Sequence, residues 1–129
     1  MKLPPLAHDA EELCAHLLRL DTTNPPGNER PAADYLAGKL REVGYDVTVI
    51  ESAPTRANLV TRYRGDGRAA PILLAAHLDV VEADPTQWRQ PPFSGAIAED
   101  CLWGRGAIDM KNMAAMSVAI LRKLAVDKP

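Results

Sequence analysis

One uninterrupted apolar run constrains the fold of this chain more than any other feature of its sequence. The run Pro71-Ile72-Leu73-Leu74-Ala75-Ala76 contains no polar residue. A strand with one face in solvent alternates polar and apolar residues, whereas a strand covered on both faces does not. The run therefore predicts a buried strand in a sheet that carries packed structure on both sides.

Helical patterns lie on both sides of this run. Residues 8–20 carry apolar side chains at helical spacing, and these should share one face: Ala10, Leu13, Cys14, Leu17 and Leu18. A second helix is predicted from the N-cap Asn28 to about Val43, with Gly44 just beyond its end. A last helix is predicted from about 110 to 124, with this inward face: Met113, Met116, Ala119, Ile120 and Leu124.

Strand patterns complete the predicted architecture. Residues 45–51 and 57–64 each read as a strand, and residues 95–104 indicate a hairpin. Together with the apolar run, this order predicts an α/β fold in which a layered, mixed sheet is flanked by helices. A helix in such a fold is normally followed by another strand, so we expect residues 1–129 to be one domain that is incomplete at its C-terminus.

Composition excludes several classes of protein. Fifteen basic and 17 acidic residues give a net charge of −2, which does not favour a nucleic-acid partner. Because no window of about 18 apolar residues occurs, no membrane span is expected. The N-terminal residues lack the apolar core of a secretory signal, which favours a cytoplasmic location. Cys14 and Cys101 are expected to stay reduced rather than form a disulfide, with both thiols packed in the core.

Two polar residues directly follow the apolar run. His77 and Asp79 are two positions apart, so on a strand their side chains point to the same side. A metal-binding imidazole usually donates its other N–H group to a carboxylate, which fixes the tautomer and the direction of the ring. The pair therefore fits a metal ligand with its orienting carboxylate. A His–Asp hydrogen bond at a strand end without any metal is an equally good interpretation of these two residues alone.

A third candidate, Asp109, follows the glycine-rich stretch WGRGAID at the start of the last helix. A carboxylate at this position can simply cap the helix and interact favourably with its dipole. Alternatively, the glycines allow the backbone to bring Asp109 up to a metal. The segment by itself leaves both interpretations open.

Other catalytic and nucleotide-binding motifs do not fit this sequence. The stretch GDGRAA at 65–70 resembles a dinucleotide-binding turn, but an apolar strand follows it where a helix is required. The stretch GRGAID at 104–109 precedes a helix, but its last carboxylate would repel a phosphate. No G-x-S-x-G occurs, so a serine hydrolase is not supported.

The motifs HLDVV and, about 30 residues later, WGRGAIDMK resemble the cocatalytic zinc hydrolases. That family includes acetylornithine deacetylase, succinyl-diaminopimelate desuccinylase, aminoacylase and glutamate carboxypeptidase. The stretches NPPGNE at 24–29 and PPFSG at 91–95 are similar to family stretches as well. The resemblance extends over nearly the whole chain, as the N-terminal part of a catalytic domain without the family's dimerisation domain.

The resemblance implies a role for each candidate residue. His77 corresponds to a ligand of one metal, Asp79 to the catalytic carboxylate that orients it, and Asp109 to the carboxylate that bridges two metals. A cis peptide bond between Asp109 and Met110 is implied too. Asn112 stands where the family usually has glycine, at a position that is not a ligand.

The resemblance also implies the chemistry. Two Zn²⁺ ions, with Co²⁺ or Mn²⁺ as alternatives, would activate a water for hydrolysis of an amide bond. The substrate would be a small peptide or N-acyl amino acid, and the complete protein a homodimer without nucleic-acid or membrane partners.

The family's Glu-Glu pair, a general base followed by a metal ligand, has no counterpart in residues 110–129. Two hypotheses follow. The chain is the N-terminal segment of a metal-dependent amidohydrolase, or it is a truncated, inactive α/β fragment with at most a partner-binding role. In either case we expect this chain alone to be inactive, because a metal could gather three protein ligands only by recruiting a group such as Glu82 or Asp84.

Overall fold

Helices and β-hairpins together build the structure, a computed structural model that describes residues 3–128. This mixture confirms the α/β class. The elements, in chain order, are the helices and strands α1 (Leu6–Leu18), α2 (Arg30–Arg41), β1 (Val47–Ala53), β2 (Arg56–Thr61), β3 (Ala96–Ala98), β4 (Cys101–Trp103) and α3 (Lys111–Asp127), with a short 3₁₀ helix at Pro85–Gln87. No helix in the described part of the chain is both long and apolar enough to cross a membrane.

The core lies where α3 packs against α1 and α2. The predicted apolar face of α1 is confirmed, since Leu13, Cys14, Leu17 and Leu18 are buried. Leu17 and Leu18 are fully buried, and each contributes about 2 kcal/mol by leaving water. Cys14 is a free, buried thiol, as expected, and burial raises its pKa.

The predicted inward face of α3 is wrong in part. Met113, Met116 and Ile120 are exposed, and Leu124 is only half-buried. The helix instead turns a face of small and branched residues toward α1: Ala114, Ala115, Val118 and Ala119. Both faces of α3 carry apolar residues at helical spacing, so periodicity alone could not choose between them. The alanines permit the closer approach to α1.

A buried ion pair fixes this orientation of α3. Arg122 is buried, and its Nε donates to Asp9 Oδ2 at 3.0 Å. Its Nη1 donates to Glu42 Oε2, also at 3.0 Å. Because the three partners lie on α3, on α1 and just after α2, one guanidinium joins all three helices. A buried charge without a partner costs several kcal/mol, so the opposite rotation of α3 is disfavoured.

Two antiparallel hairpins supply the β structure. In the first, β1 pairs with β2, with Val47 opposite Thr61, and both strands contact α2. In the second, β3 pairs with β4 through a turn at Glu99 and Asp100, whose positive φ angles are typical of tight hairpin turns. The hairpin predicted at 95–104 is therefore confirmed. The predicted Gly44 at the end of α2 is confirmed by its φ of +91°, although α2 begins after Glu29 rather than Asn28.

The predicted strand at 71–76 is not formed. Ile72 and Leu73 are 87% and 88% exposed, and among the described residues none forms a backbone hydrogen bond with residues 71–76. A cavity of about 600 Å³ is lined both by β2 and by residues 73–79. A strand exists only when a neighbour satisfies its backbone groups, and β2 lies across this cavity from the run. The composition of the run is that of a covered strand, but among the described residues no strand pairs with it.

Candidate metal centre

His77 and Asp79 lie on a short segment that is attached to the chain just after α1. Thr23 and Val80 form a parallel β-bridge. The Val80 N–H group donates to Thr22 O at 3.1 Å, and the Thr22 hydroxyl donates to Leu78 O at 2.6 Å. These bonds hold the backbone around His77 in place, although the preceding run forms no backbone hydrogen bond within residues 3–128.

The three candidate side chains meet. His77 Nδ1 lies 3.1 Å from Asp79 Oδ1 and 3.0 Å from the backbone oxygen of Asp79. His77 Nε2 lies 3.0 Å from Asp109 Oδ1, a residue 32 positions away in sequence. The predicted contact between His77 and Asp79 is confirmed, and so is the approach of Asp109 to the same ring.

The electrostatics of the ring follow from this geometry. Burial alone would lower the pKa of His77, but the hydrogen bond with Asp109 and the contacts with Asp79 outweigh it and raise that pKa. Both ring nitrogens face oxygen acceptors, and only the imidazolium can donate from both. A cation bound at Nε2 would take the place of that proton between His77 and Asp109.

The glycine-rich stretch brings Asp109 close to the His77 segment. Gly106 has a φ of +89°, and a Cβ atom there would lie 2.7 Å from Val80 Cγ1. Glycine is therefore required both by conformation and by close approach. The Asp109 side chain is exposed and does not cap α3, whose N-cap is Met110. The interpretation of Asp109 as a plain helix cap is wrong, since its carboxylate contacts the His77 ring instead of the first turn of α3. The peptide bond from Asp109 to Met110 is cis, as the resemblance implied.

Asn24 was not recognised from the sequence as part of this site. Its amide donates from Nδ2 to Asp79 Oδ2 at 2.9 Å. This bond is the main cause that lowers the pKa of Asp79, and the nearby His77 acts in the same direction against the opposing effect of burial. The only sequence signal was the position of Asn24 in the stretch NPPGNE.

The role of Lys111 beside this site was not recognised from the sequence either. Its side chain is completely buried, and Nζ donates to Leu17 O at 2.9 Å and to Leu20 O at 2.7 Å. Burial lowers its pKa to about 8. A lysine in the first turn of a helix is unfavourable to the helix dipole, and this mismatch was the available signal.

A cavity of about 620 Å³ adjoins the three candidate residues and is lined further by Trp88 and Trp103. Cys101 also lines it and is exposed. The prediction that the Cys101 thiol is packed in the core is therefore wrong, because among the described residues β3 and β4 pair only with each other and leave this side chain exposed.

The chemistry of the donors fits a divalent metal. Two ligands of a tetrahedral Zn²⁺ at about 2.0–2.1 Å lie about 3.3 Å apart, and His77 Nε2 and Asp109 Oδ1 are 3.0 Å apart. Within residues 3–128, however, no three His, Cys, Asp or Glu side chains converge on one metal position. Asp84 does not join them, and its Oδ1 accepts hydrogen bonds from Thr86 N and Oγ1 at 3.0 and 2.8 Å.

Comparisons with known proteins agree with the motifs. The sequence profile of Peptidase family M20/M25/M40 matches residues 73–129. Succinyl-diaminopimelate desuccinylase of Methylocella silvestris is 40% identical over 126 residues, which cover 93% of this chain and 31% of that protein. The enzymes of the same name from Methylorubrum extorquens and Gluconacetobacter diazotrophicus are 36% and 32% identical over 126 and 123 residues. Each alignment covers 95% of this chain, and 32% and 31% of those proteins.

The chain thus spans about a third of the length of the curated relatives it matches. The profile begins at the apolar run and includes all three candidate residues, His77, Asp79 and Asp109. Over nearly its whole length the chain is therefore similar to succinyl-diaminopimelate desuccinylases, and residues 73–129 match Peptidase family M20/M25/M40.

Proposed function

We propose that this chain is the N-terminal part of the catalytic domain of a metal-dependent amidohydrolase, in which His77 and Asp109 bind metal. One observation carries the proposal: the His77 ring lies between two carboxylates, with Nδ1 on Asp79 and Nε2 on Asp109. A structural His–Asp pair requires one carboxylate. The second carboxylate, exposed and not used as a cap, is what a metal ligand would provide.

The residues of the chain have distinct tasks in this mechanism. Zn²⁺, or Co²⁺ or Mn²⁺, would supply an activated water and polarise the scissile carbonyl. Asp79 accepts the Nδ1–H group of His77, which leaves the Nε2 lone pair directed at the metal position. Asp109 offers a carboxylate at the same position. The cavity lined by Trp88 and Trp103 would hold the substrate beside these groups.

The substrate class follows from the relatives' name. An N-succinyl amino acid contains the amide bond that this chemistry cleaves, so we place the substrate among small N-acyl amino acids or peptides. The complete protein would act as a homodimer. Proton transfer from the water needs a general base, and residues 110–129 contain no glutamate to provide one.

The second candidate is an inactive α/β fragment with at most a partner-binding role. The observation that favours it is that only two donors converge on the metal position within the described residues, whereas catalytic zinc sites normally use three. The two candidates differ in whether metal binding depends on His77 and Asp109.

Metal titration of the purified chain tests the proposal. We expect weak binding of Co²⁺ or Zn²⁺ by calorimetry, and we expect His77→Ala or Asp109→Ala to reduce it at least about 100-fold, beyond the effect of losing an orienting group. His8→Ala is the matched control, since His8 is exposed on α1. Equal affinity of wild type and both site variants would exclude the metal centre.

A further inference from the structure

We propose that Asn24 is a positioning residue of the metal centre. Its amide fixes the Asp79 carboxylate, and Asp79 in turn directs His77 Nε2 toward Asp109. The inference rests on the proposed function. It extends the site to Asn24, a residue of the NPPGNE stretch that is not itself a proposed metal ligand.

Asp79 is held at both oxygens. Oδ2 accepts from Asn24 Nδ2 at 2.9 Å, and Oδ1 faces His77 Nδ1 at 3.1 Å. One bond would leave the carboxylate free to rotate about its side chain, whereas two bonds on opposite oxygens fix its plane. The NH₂ group of Asn24 must face Asp79, because the amide oxygen would repel a carboxylate.

The backbone of Asn24 is fixed to the same segment that carries Asp79. Its N–H group donates to Val80 O at 2.9 Å, and the Thr23–Val80 bridge lies beside this bond. Thr22 is completely buried and donates to Leu78 O. Residues 71–76 form no backbone hydrogen bond with the described residues, so this attachment is what holds the backbone of the His77 segment there. Asn24 therefore acts from a rigid base rather than from a mobile loop.

The same part of the chain also supports Asp109. Lys111 Nζ donates to Leu17 O and Leu20 O, and Lys111 lies two residues after Asp109. Residues 17–24 thus contact the His77 segment through Asn24 and the Asp109 segment through Lys111. One continuous stretch of backbone therefore contacts both segments that carry the proposed metal ligands, and Asn24 is its side-chain contact with Asp79.

The first test measures the tautomer of the His77 ring in the absence of metal. In an Asp109→Ala background, Asp79 is the remaining carboxylate at the ring. Ring nitrogen NMR shifts at a pH where His77 is neutral should show Nδ1–H in the presence of Asn24. In Asn24→Ala they should move toward the Nε2–H form that free histidine prefers. Asn58→Ala, an exposed asparagine on β2, is the matched control.

A reciprocal exchange tests the same bond in folded protein. Asn24→Asp alone places two carboxylates together and should disturb the ring. Asn24→Asp combined with Asp79→Asn restores a donor–acceptor pair, and the new amide oxygen can still accept from His77 Nδ1. The exchange should therefore recover the Nδ1–H form. If Asn24→Ala does not fold, the comparison of Asn24→Asp with the reciprocal exchange tests the proposal instead. A folded exchange variant whose His77 ring lacks Nδ1–H would overturn the proposal.

Metal affinity supplies the second readout, with Asp109 intact. Asn24→Ala should weaken Co²⁺ binding about 10–100-fold, as for other groups that orient a ligand, while Asn58→Ala should not. An unchanged tautomer in Asn24→Ala would mean that the Asp79 backbone oxygen alone orients the ring, which overturns the role of Asn24. If the tautomer responds but wild type binds no Co²⁺, the positioning holds and the metal centre is what fails.

Discussion

Lys111 shows at the scale of one residue how a helix of this chain is adapted to the site. Its ammonium group lies in the first turn of α3, where the helix dipole repels a cation. The group is stabilised instead by Leu17 O and Leu20 O, at the opposite, negative end of α1. One buried side chain therefore connects the end of α1 to the start of α3, beside Asp109.

Removing the charge of Lys111 should change the pH dependence of stability. Its pKa is about 8 in the folded chain, whereas the ordinary lysine value of 10.5 applies to the unfolded chain. Between these pH values the folded state has lost a proton that the unfolded state keeps. The free energy of unfolding should therefore rise with pH, by up to about 3 kcal/mol.

Urea unfolding of the metal-free chain from pH 7 to 10.5 measures this rise. Lys111→Met should lack it, because no proton is then released on folding. Lys123→Met removes an exposed lysine from the same helix and should keep the wild-type dependence. Identical pH profiles for wild type and Lys111→Met would contradict the prediction.

The candidate residues differ in how far the sequence could predict them. His77 and Asp79 are separated by one residue, so a local rule placed them together, and the glycine-rich approach indicated Asp109. Asn24 and Lys111 act through contacts 55 and at least 91 residues away in sequence. No local pattern contains that information. The predicted burial of Cys101 was wrong because burial depends on what packs over a hairpin, and the sequence of the hairpin does not contain that information.

At the scale of elements, the run at 71–76 is the clearest departure from expectation. Its sequence is that of a covered strand, but Ile72 and Leu73 are exposed and their backbone groups are unpaired in the described part of the chain. An apolar segment with free backbone donors and acceptors can pair with another chain. The free edge of β2 across the cavity is a second such site.

We therefore expect this chain to self-associate through the run as its concentration rises. Ile72→Lys combined with Leu73→Lys should shift the molecule toward monomer, because charges on an exposed edge oppose pairing. Sedimentation velocity over a concentration series measures the change. Ile97→Lys, on the isolated β3–β4 hairpin and also exposed, serves as the control. Association that persists unchanged in the doubly charged variant would place the contact elsewhere.

At the scale of the whole molecule, the sequence predicted the individual helices and strands, but it did not predict how these elements are arranged against one another. The three helices, the strands β1 and β2 and the β3–β4 hairpin follow from periodicity, caps and turn residues, and the α/β class follows from their order. The single mixed sheet does not follow, because β1–β2 and β3–β4 remain separate sheets in the described residues. Which face of α3 is buried depended on Asp9, more than a hundred residues away.

The last prediction concerns activity of the chain as a whole. It offers two proposed metal ligands, His77 and Asp109, within the described residues, whereas catalytic zinc sites normally have three protein ligands. A positioned general base typically contributes about 10²–10⁴-fold to such a reaction, and residues 110–129 contain no glutamate for that role. The chain also spans only about a third of its curated relatives. We therefore expect no turnover of N-succinyl amino acids above the rate with the metal salt alone.

The assay uses the purified 129-residue chain with Zn²⁺ or Co²⁺, beside the Methylocella silvestris desuccinylase as the active control. His77→Ala is measured in parallel, so that any slow hydrolysis can be assigned either to this site or to a contaminant. Turnover comparable to the control and abolished by His77→Ala would refute the prediction. It would show that the two ligands, the cavity beside them and a base within these residues suffice for catalysis. The expected result is a chain that binds metal weakly through His77 and Asp109 yet hydrolyses nothing, because binding needs donors that converge whereas catalysis also needs a base placed on the water.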